Sequence, residues 1–131
     1  MLAAIVLAGA VAHAPAPVRG DFDHDGKQDV AQIVPSRPGV YQLIIRRGAR
    51  GRPISIIDTI KQGDLANLFI TTEKPGRLQT WCGKGGDDGD GPCLRKSVRL
   101  HGDTLAFGTR EASEAVVIWT GKKFEVVWIS D

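Results

Sequence analysis

Short apolar segments separated by turn residues run through the chain from residue 29 onward. The segments are rich in valine, isoleucine and aromatic residues, which favour β-strands. The breaks between them contain the glycine, proline and aspartate that turns require. The predicted strands are Asp29–Val34, Tyr41–Arg47, Ile54–Ile60, Leu68–Thr72, Leu78–Trp81, Ser97–Leu100, Thr104–Phe107, Ala115–Thr120 and Phe124–Ile129. This spacing predicts an all-β fold, a single-domain antiparallel meander of about eight or nine short strands that forms a sandwich, a barrel or a propeller-like blade.

Local pairings are predicted for parts of this meander. The last two segments, Ala115–Thr120 and Phe124–Ile129, are joined by a connection short enough for a hairpin. Apolar residues on both faces predict that this hairpin lies in the centre of its sheet. A second hairpin is predicted around the turn His101–Asp103, and Lys61–Asn67 is predicted to form one helical turn with Asp64 as its cap.

An aspartate-rich stretch, Asp21–Asp29, precedes the first predicted strand. It places aspartate at its first, third, fifth and ninth positions and glycine at its sixth. Alternate carboxylates point to one side of such a loop, and glycine allows the sharp turn that returns the next carbonyl to the same centre. Calcium takes about six to eight oxygen ligands, and a divalent cation removes the repulsion between crowded carboxylates. The stretch therefore predicts a Ca²⁺ site whose ligands are Asp21, Asp23, Asp25, the backbone carbonyl of Lys27, and Asp29.

Other residues of the loop have different predicted roles. His24 and Gln28 fall on outward-pointing positions, and Phe22 is predicted to anchor the loop in the core. The twelfth position is Gln32, where an EF-hand has a bidentate glutamate, and the residues after Asp29 favour a strand. The loop is therefore not an EF-hand, and the alternative to a calcium site is a polar turn that binds no metal.

The segment Gly20–Ala31, with the pattern DxDxDGxxD, resembles the calcium loop of FG-GAP and VCBS-type repeats, the blades of integrin-like propellers. In that family the loop leads directly into a hydrophobic strand, and small exported bacterial proteins with a single copy are similar in size and layout. The resemblance implies a calcium-stabilised β-structure with the same five ligands. It covers only about twenty to thirty residues, whereas a propeller needs about four to eight blades. Adhesion or receptor function is therefore not carried over.

An apolar run at the N-terminus predicts export. Leu2–Val11 has the length of a signal-peptide core and is too short to span a membrane as a helix. Cleavage is expected after Ala12, or after Ala14, so that 1–12 is the signal, 13–20 is a Pro/Ala-rich leader and 21–131 is the domain. No basic residue precedes the run, and an apolar N-terminal strand is the alternative. We expect a periplasmic or secreted protein without a membrane span.

The two cysteines, Cys82 and Cys93, agree with an oxidising compartment. They flank a loop of glycine, aspartate and lysine, and they are expected to form a structural disulfide bond. Closing a loop of this length stabilises a protein by about 2–3 kcal/mol in the chain-entropy model.

Two groups of residues are candidates for contact with a partner. One is an arginine-rich segment with no acidic residue between positions 30 and 57, and the other is the cysteine-flanked loop with the tryptophan at its base. The candidates are Arg46, Arg47, Arg50, Arg52, Trp81, Asp87, Asp88 and Asp90. The arginines suit an anionic polymer or head group, with a solvated hairpin tip as the alternative, and nucleic acid is not favoured. A second cation at Asp87–Asp90 is left open.

No catalytic motif is present. His101 and Asp103 are the nearest approach to an acid–base pair, but they lie in a predicted turn. The sequence has no nucleophile elbow, zinc-protease helix or phosphate-binding loop. It therefore predicts a non-enzymatic calcium-binding module that recognises a protein or an envelope polymer. The alternative is a disulfide-stabilised inhibitor of a periplasmic or extracellular enzyme, with the loop 83–92 inserted into its target.

Overall fold

Ten β-strands form three antiparallel sheets in the part of the chain that the computed structural model describes, residues 14–87 and 91–130. The strands are β1 (Val18–Gly20), β2 (Asp29–Arg37), β3 (Val40–Arg46), β4 (Ser55–Lys61), β5 (Leu68–Glu73), β6 (Gly76–Gln79), β7 (Ser97–Leu100), β8 (Thr104–Thr109), β9 (Ser113–Trp119) and β10 (Phe124–Ser130). Short 3₁₀ helices cover Gln62–Asn67 and Cys82–Lys84. The predicted signal peptide, the cleavage site after Ala12, and Asp88 and Asp90 lie outside the described residues.

The sheets stack in three layers. The first sheet has the order β1-β2-β3-β4, the second β10-β9-β8-β5, and the third is the hairpin β6-β7. A large core that includes Leu43 and Phe107 fills the space between the first and second sheets. A smaller core that includes Val98 and Val116 lies between the second and third sheets. The all-β prediction is confirmed, and the arrangement is a sandwich with an additional layer rather than a closed barrel.

Strand β8 shows why both faces of the second sheet are apolar. Leu105 and Phe107 point into the large core, whereas Ala106 between them points into the small core. Side chains alternate between the two faces of a strand, so a strand with a core on each side is apolar throughout. The continuous apolar runs near the C-terminus have the same origin.

One strand was not predicted, and another extends beyond its predicted end. Strand β1 is only three residues long and was not predicted, because so short a segment carries no periodicity; it pairs with Asp29–Ala31 of β2. Strand β2 continues through Pro35 to Arg37, beyond its predicted end at Val34. Since β1 pairs only with the start of β2, the missing N–H of Pro35 leaves no bond to that neighbour unmade.

Three local predictions were wrong. Strand β10 is at the edge of its sheet, although β9 beside it is central, because the third layer covers an apolar face that would otherwise indicate a central strand. Strands β7 and β8 flank the turn His101–Asp103 but pair with other strands, β6 for the former and β5 and β9 for the latter. The turn Gln62–Asn67 forms without a side-chain cap, so Asp64 does not cap it.

Cys82 and Cys93 form the predicted disulfide, with 5.6 Å between their Cα atoms. Disulfides of this structural kind are typical of proteins in oxidising compartments outside the cytoplasm. Among the described residues, no helix has the length and apolar character needed to cross a bilayer.

Candidate metal site

Three carboxylates meet where the aspartate-rich loop enters β2. Asp21, Asp23 and Asp29 each offer an oxygen, and these oxygens lie within 4.8 Å of one another. Asp23 and Asp29 are buried, and Asp29 has no exposed surface. Oxygen-only donors at this spacing suit a hard divalent cation. The structure thus brings together three of the four predicted aspartate ligands.

The carboxylate of Asp29 organises the loop by accepting hydrogen bonds from backbone N–H groups. One of its carboxylate oxygens accepts hydrogen bonds from the N–H groups of Phe22 and Asp23, at 2.8 and 3.2 Å. The other accepts the N–H of Gly48, at 2.7 Å, from the connection after β3. Burial raises the pKa of Asp29, and the N–H groups of Gly48, Asp23 and Phe22 oppose that rise. A single carboxylate therefore joins both ends of the loop to the neighbouring strand connection.

The tip of the loop is held by Asp21. Its carboxylate accepts the N–H groups of Asp25 and Gly26, at 3.1 and 2.8 Å. Gly26 has a φ of +87°, a conformation that side-chain-bearing residues rarely adopt, so the predicted need for glycine at the turn is confirmed. Asp25 is exposed and accepts the N–H of Lys27 at 2.8 Å. Asp25 is not part of the three-carboxylate cluster, and its role as a ligand, like that of the Lys27 carbonyl, stays a prediction.

Arg47 provides a counter-charge that was not predicted. Its Nε lies 2.7 Å from one carboxylate oxygen of Asp23, and its guanidinium lies 4.5 Å from the ring centre of Trp119. Burial opposes ionisation of Asp23, but the hydrogen bond and charge of Arg47, together with the side chain and N–H of the nearby Asp25, prevail and lower the pKa of Asp23. Arg47 was assigned to the candidate arginine surface; it instead links the loop to the second sheet.

The second carboxylate oxygen of Asp23 is the most informative atom of the site. It is buried and has no hydrogen-bond partner among the described residues. Buried polar atoms are normally hydrogen-bonded, and leaving one unpaired costs about 1–3 kcal/mol. Three carboxylates against one guanidinium leave two negative charges when all are ionised, the charge that one divalent cation compensates. The residues therefore fit a bound divalent cation.

Two further residues shape the site without having been predicted. A Cβ atom on Gly48 would lie 2.3 Å from the carbonyl oxygen of Gln28, so only glycine lets this connection approach the loop. Asp103 accepts the N–H of Asp21 at 2.8 Å, which joins the loop to the turn before β8. Both residues are far from the loop in sequence, and only the fold reveals their proximity.

The loop residues predicted to point away do so. His24 and Gln28 are exposed, and Phe22 is buried in the large core as the predicted anchor. His101 is exposed, and Asp103 beside it is bonded to the loop.

The candidate partner-contact residues lie in two separate regions. Arg46, Arg50 and Arg52 are exposed in and beside the connection between β3 and β4, as the hairpin-tip alternative requires. Trp81 is half-buried, its ring lies against Gly86, and its Nε1 donates to the carbonyl of Asp87 at 3.2 Å.

A carboxylate pair lies outside the loop, on β5 and β9. Glu114 is half-buried, and its hydrogen bond to Glu73, its burial and the charge of Glu73 raise the pKa of Glu114 to about 7, against the opposing charge of Lys84. For a carboxyl group, a pKa raised on folding adds stability that is complete below the unfolded value near 4.5 and is lost as the pH rises to about 7.

We therefore expect Glu114→Gln to remove this pH dependence. The variant should match the parent at pH 4 and exceed its free energy of unfolding at pH 8 by about 1 kcal/mol, a value reduced to allow for solvent screening. Urea unfolding at both pH values measures the difference, with the exposed Glu111→Gln as control. An equal difference between parent and Glu114→Gln at the two pH values would contradict the shift.

When the chain is compared with known proteins, no family model, curated protein or solved structure matches it.

Proposed function

We propose that this protein is an exported calcium-binding β-domain in which the ion has a structural role, and that the domain binds a protein or an envelope polymer. The observation that carries the calcium part is the buried, unpaired oxygen of Asp23 beside the carboxylates of Asp21 and Asp29. The resemblance of Gly20–Ala31 to FG-GAP calcium loops and the oxygen-only donors favour Ca²⁺ over softer metals.

The structural role follows from what the loop connects. Asp21–Asp29 joins β1 to β2, and its carboxylates also bond to Gly48 and Arg47 after β3. A cation held by Asp21, Asp23 and Asp29, with Asp25 and the Lys27 carbonyl as further ligands, would neutralise the cluster and fix this end of the first sheet. When bound, the ion supplies charge compensation, and the chain positions it through Arg47 and the backbone N–H groups.

The deciding experiment is a thermal melt of the protein in calcium, in magnesium and in EDTA. Ligand that binds only the folded state adds about 2.7 kcal/mol of stability at a hundredfold excess over its Kd. We expect calcium to raise Tm well above the EDTA value and magnesium to raise it less, because magnesium demands octahedral geometry and keeps its waters. Equal melting in all three buffers would refute the calcium site.

Asp25→Ala tests the remaining aspartate of the loop. The Asp25 carboxylate is exposed and accepts the N–H of Lys27, so its removal should change the free energy of unfolding in EDTA by less than about 1 kcal/mol. In calcium the variant should lose much of the calcium-induced rise in Tm, because a ligand has been removed. The matched control is Asp64→Ala, an exposed aspartate outside the loop. If Asp25→Ala keeps the full calcium response of the parent, Asp25 is not a ligand.

The binding part of the proposal rests on exposed apolar surface beside the disulfide. Leu94 and Trp128 are large apolar side chains left exposed beside the disulfide. Exposed apolar patches with a polar rim are typical of interaction sites.

A further inference from the structure

The outer edge of β10 presents backbone groups to solvent. The N–H of Thr120 donates to the carbonyl of Lys123 at 2.9 Å and closes the β9–β10 hairpin. Counting along the register from this pair, alternate residues of β10 bond to β9, and Phe124, Val126 and Trp128 direct their N–H and C=O groups away from it. The N–H of Trp81 donates to the carbonyl of Trp128 at 2.8 Å on this outer side, in agreement with that alternation.

The edge borders a groove beside the disulfide. The groove has a volume of about 440 Å³, within the range of ligand sites in proteins. Leu94 is 91% exposed and Trp128 43% exposed, so the chain leaves apolar surface uncovered here. Trp128 is held in place by an edge-to-face contact with Phe107, with 5.8 Å between ring centres. The groove is lined by Thr80, Trp81, Cys82, Pro92, Leu94, Arg95 and the segment 125–128 of β10.

The backbone of Val126 lies along this groove without a partner. Among the residues that the structure describes, nothing bonds to its outward N–H or C=O. An unpaired strand edge is a template for another extended chain. Two residues further on, the N–H of Trp81 already bonds to the outward carbonyl of Trp128. An added strand would bond to the same edge of β10 at Val126.

We propose that an extended segment of a partner protein binds in this groove by adding as a strand beside β10. The occupant is a main chain because the unpaired groups that it must match in the groove are the backbone N–H and C=O of Val126. It is an uncharged segment, because at the rim Arg95 and Glu125, which form an ion pair at 2.7 Å, already compensate each other's charge. The proposal rests on the binding-module part of the proposed function, with a protein as the partner, and not on its calcium part.

The register of β10 defines the side-chain contacts of the added strand. Side chains at alternate positions of β10 point to the large core or to the small core, so Trp128 lies on one face and Glu125 on the other. An added strand would alternate in the same way. One set of its side chains would contact Trp128, and the other would contact the aliphatic parts of the Arg95–Glu125 pair.

A titration followed by amide NMR tests the proposal. The probes are capped seven-residue peptides of alternating valine and threonine, with phenylalanine, leucine or tyrosine at the centre, and the same peptides N-methylated at every second residue. We expect saturable shifts of the Val126 and Trp128 amides at peptide concentrations up to ~1 mM. N-methylated peptides should give none, because they have lost alternate backbone donors.

Leu94→Asp and Ile56→Asp form a matched pair of variants. Leu94 is in the groove, whereas Ile56 is 60% exposed on β4 and does not line the groove, and neither replacement disturbs a buried side chain. Leu94→Asp should weaken peptide binding about tenfold, which corresponds to ~1.4 kcal/mol, and Ile56→Asp should leave it unchanged.

Three results would overturn the proposal. These are no saturable shift with any peptide, equal binding of the N-methylated peptides, or a dimer in sedimentation that Leu94→Asp dissociates, which would assign the edge to a second copy of the chain. The titration is run in calcium and in EDTA. Because it reports on β10 and the melt reports on the Asp21–Asp29 loop, failure of the groove and failure of the calcium site are separate outcomes.

Discussion

Replacing Asp29 with alanine should lower the free energy of unfolding by about 4 kcal/mol in EDTA, and by more in calcium because a ligand of the cation is lost as well. The substitution leaves the N–H groups of Phe22, Asp23 and Gly48 without their acceptor. Phe22 and Asp23 are buried, and each buried donor left unpaired costs about 1–3 kcal/mol. Urea unfolding followed by circular dichroism measures the loss in the two buffers.

Asp25→Ala is the natural comparison for Asp29→Ala. The two aspartates belong to the same loop, but Asp25 is exposed and its carboxylate accepts the exposed N–H of Lys27. Asp29→Ala should therefore destabilise without metal, whereas Asp25→Ala should act through the metal. If Asp29→Ala were nearly neutral in EDTA and costly only in calcium, the backbone bonds would contribute little and Asp29 would act as a ligand alone.

Phe22→Ala should cost about 3–5 kcal/mol, the range for removing a fully buried phenylalanine side chain. Phe22 is 1% exposed and belongs to the large core, although it lies inside the aspartate-rich loop. Its loss leaves a cavity and also removes the contact that holds the loop against the sandwich. We therefore expect the variant to lose stability in EDTA and to show a smaller calcium-induced rise in Tm than the parent.

The matched control for this substitution is Phe69→Ala on β5. Phe69 is half-buried and lies outside the large core, so its removal should cost clearly less. Thermal melts of both variants in calcium and EDTA separate the two effects. If Phe22→Ala retained the calcium response of the parent, the loop would hold its geometry without this anchor.

Much of the fold could be predicted because strand residues and turn residues alternate clearly along the chain. Each of the nine predicted strands overlaps a strand of the structure, although Leu78–Trp81 is displaced to Gly76–Gln79, since valine-rich segments such as that of β9 are bounded by glycine or charged turns. Long-range pairing was less accessible. The edge position of β10 and the pairing of β7 with β6 depend on which apolar faces meet. A strand with a core on each face is apolar throughout whether it lies at the centre or at the edge of its sheet, so the sequence does not distinguish the two positions.

In the candidate site, too, features set by spacing within the loop could be predicted, whereas contacts with distant residues could not. The spacing of Asp21, Asp23 and Asp29 was sufficient to place them in one cluster. The backbone donors to Asp29 and the position of Arg47 were not predictable, because they depend on the β3–β4 connection returning to the loop. Arg47 is 24 residues from Asp23 in sequence, and an arginine in a turn-rich segment gives no local sign that it will be buried against a carboxylate.

Because the interior is separated into two cores, we expect the molecule to contain two cooperative units. The large core holds the first and second sheets together, and the small core, with the hydrogen bond from Trp81 to Trp128, attaches the β6–β7 hairpin to the second sheet. Opening the hairpin would expose Val98 and Leu100 but leave the large core intact. Native proteins reach such partly open states at a lower free energy than complete unfolding, so hydrogen exchange is expected to be faster in β6 and β7 than in β8.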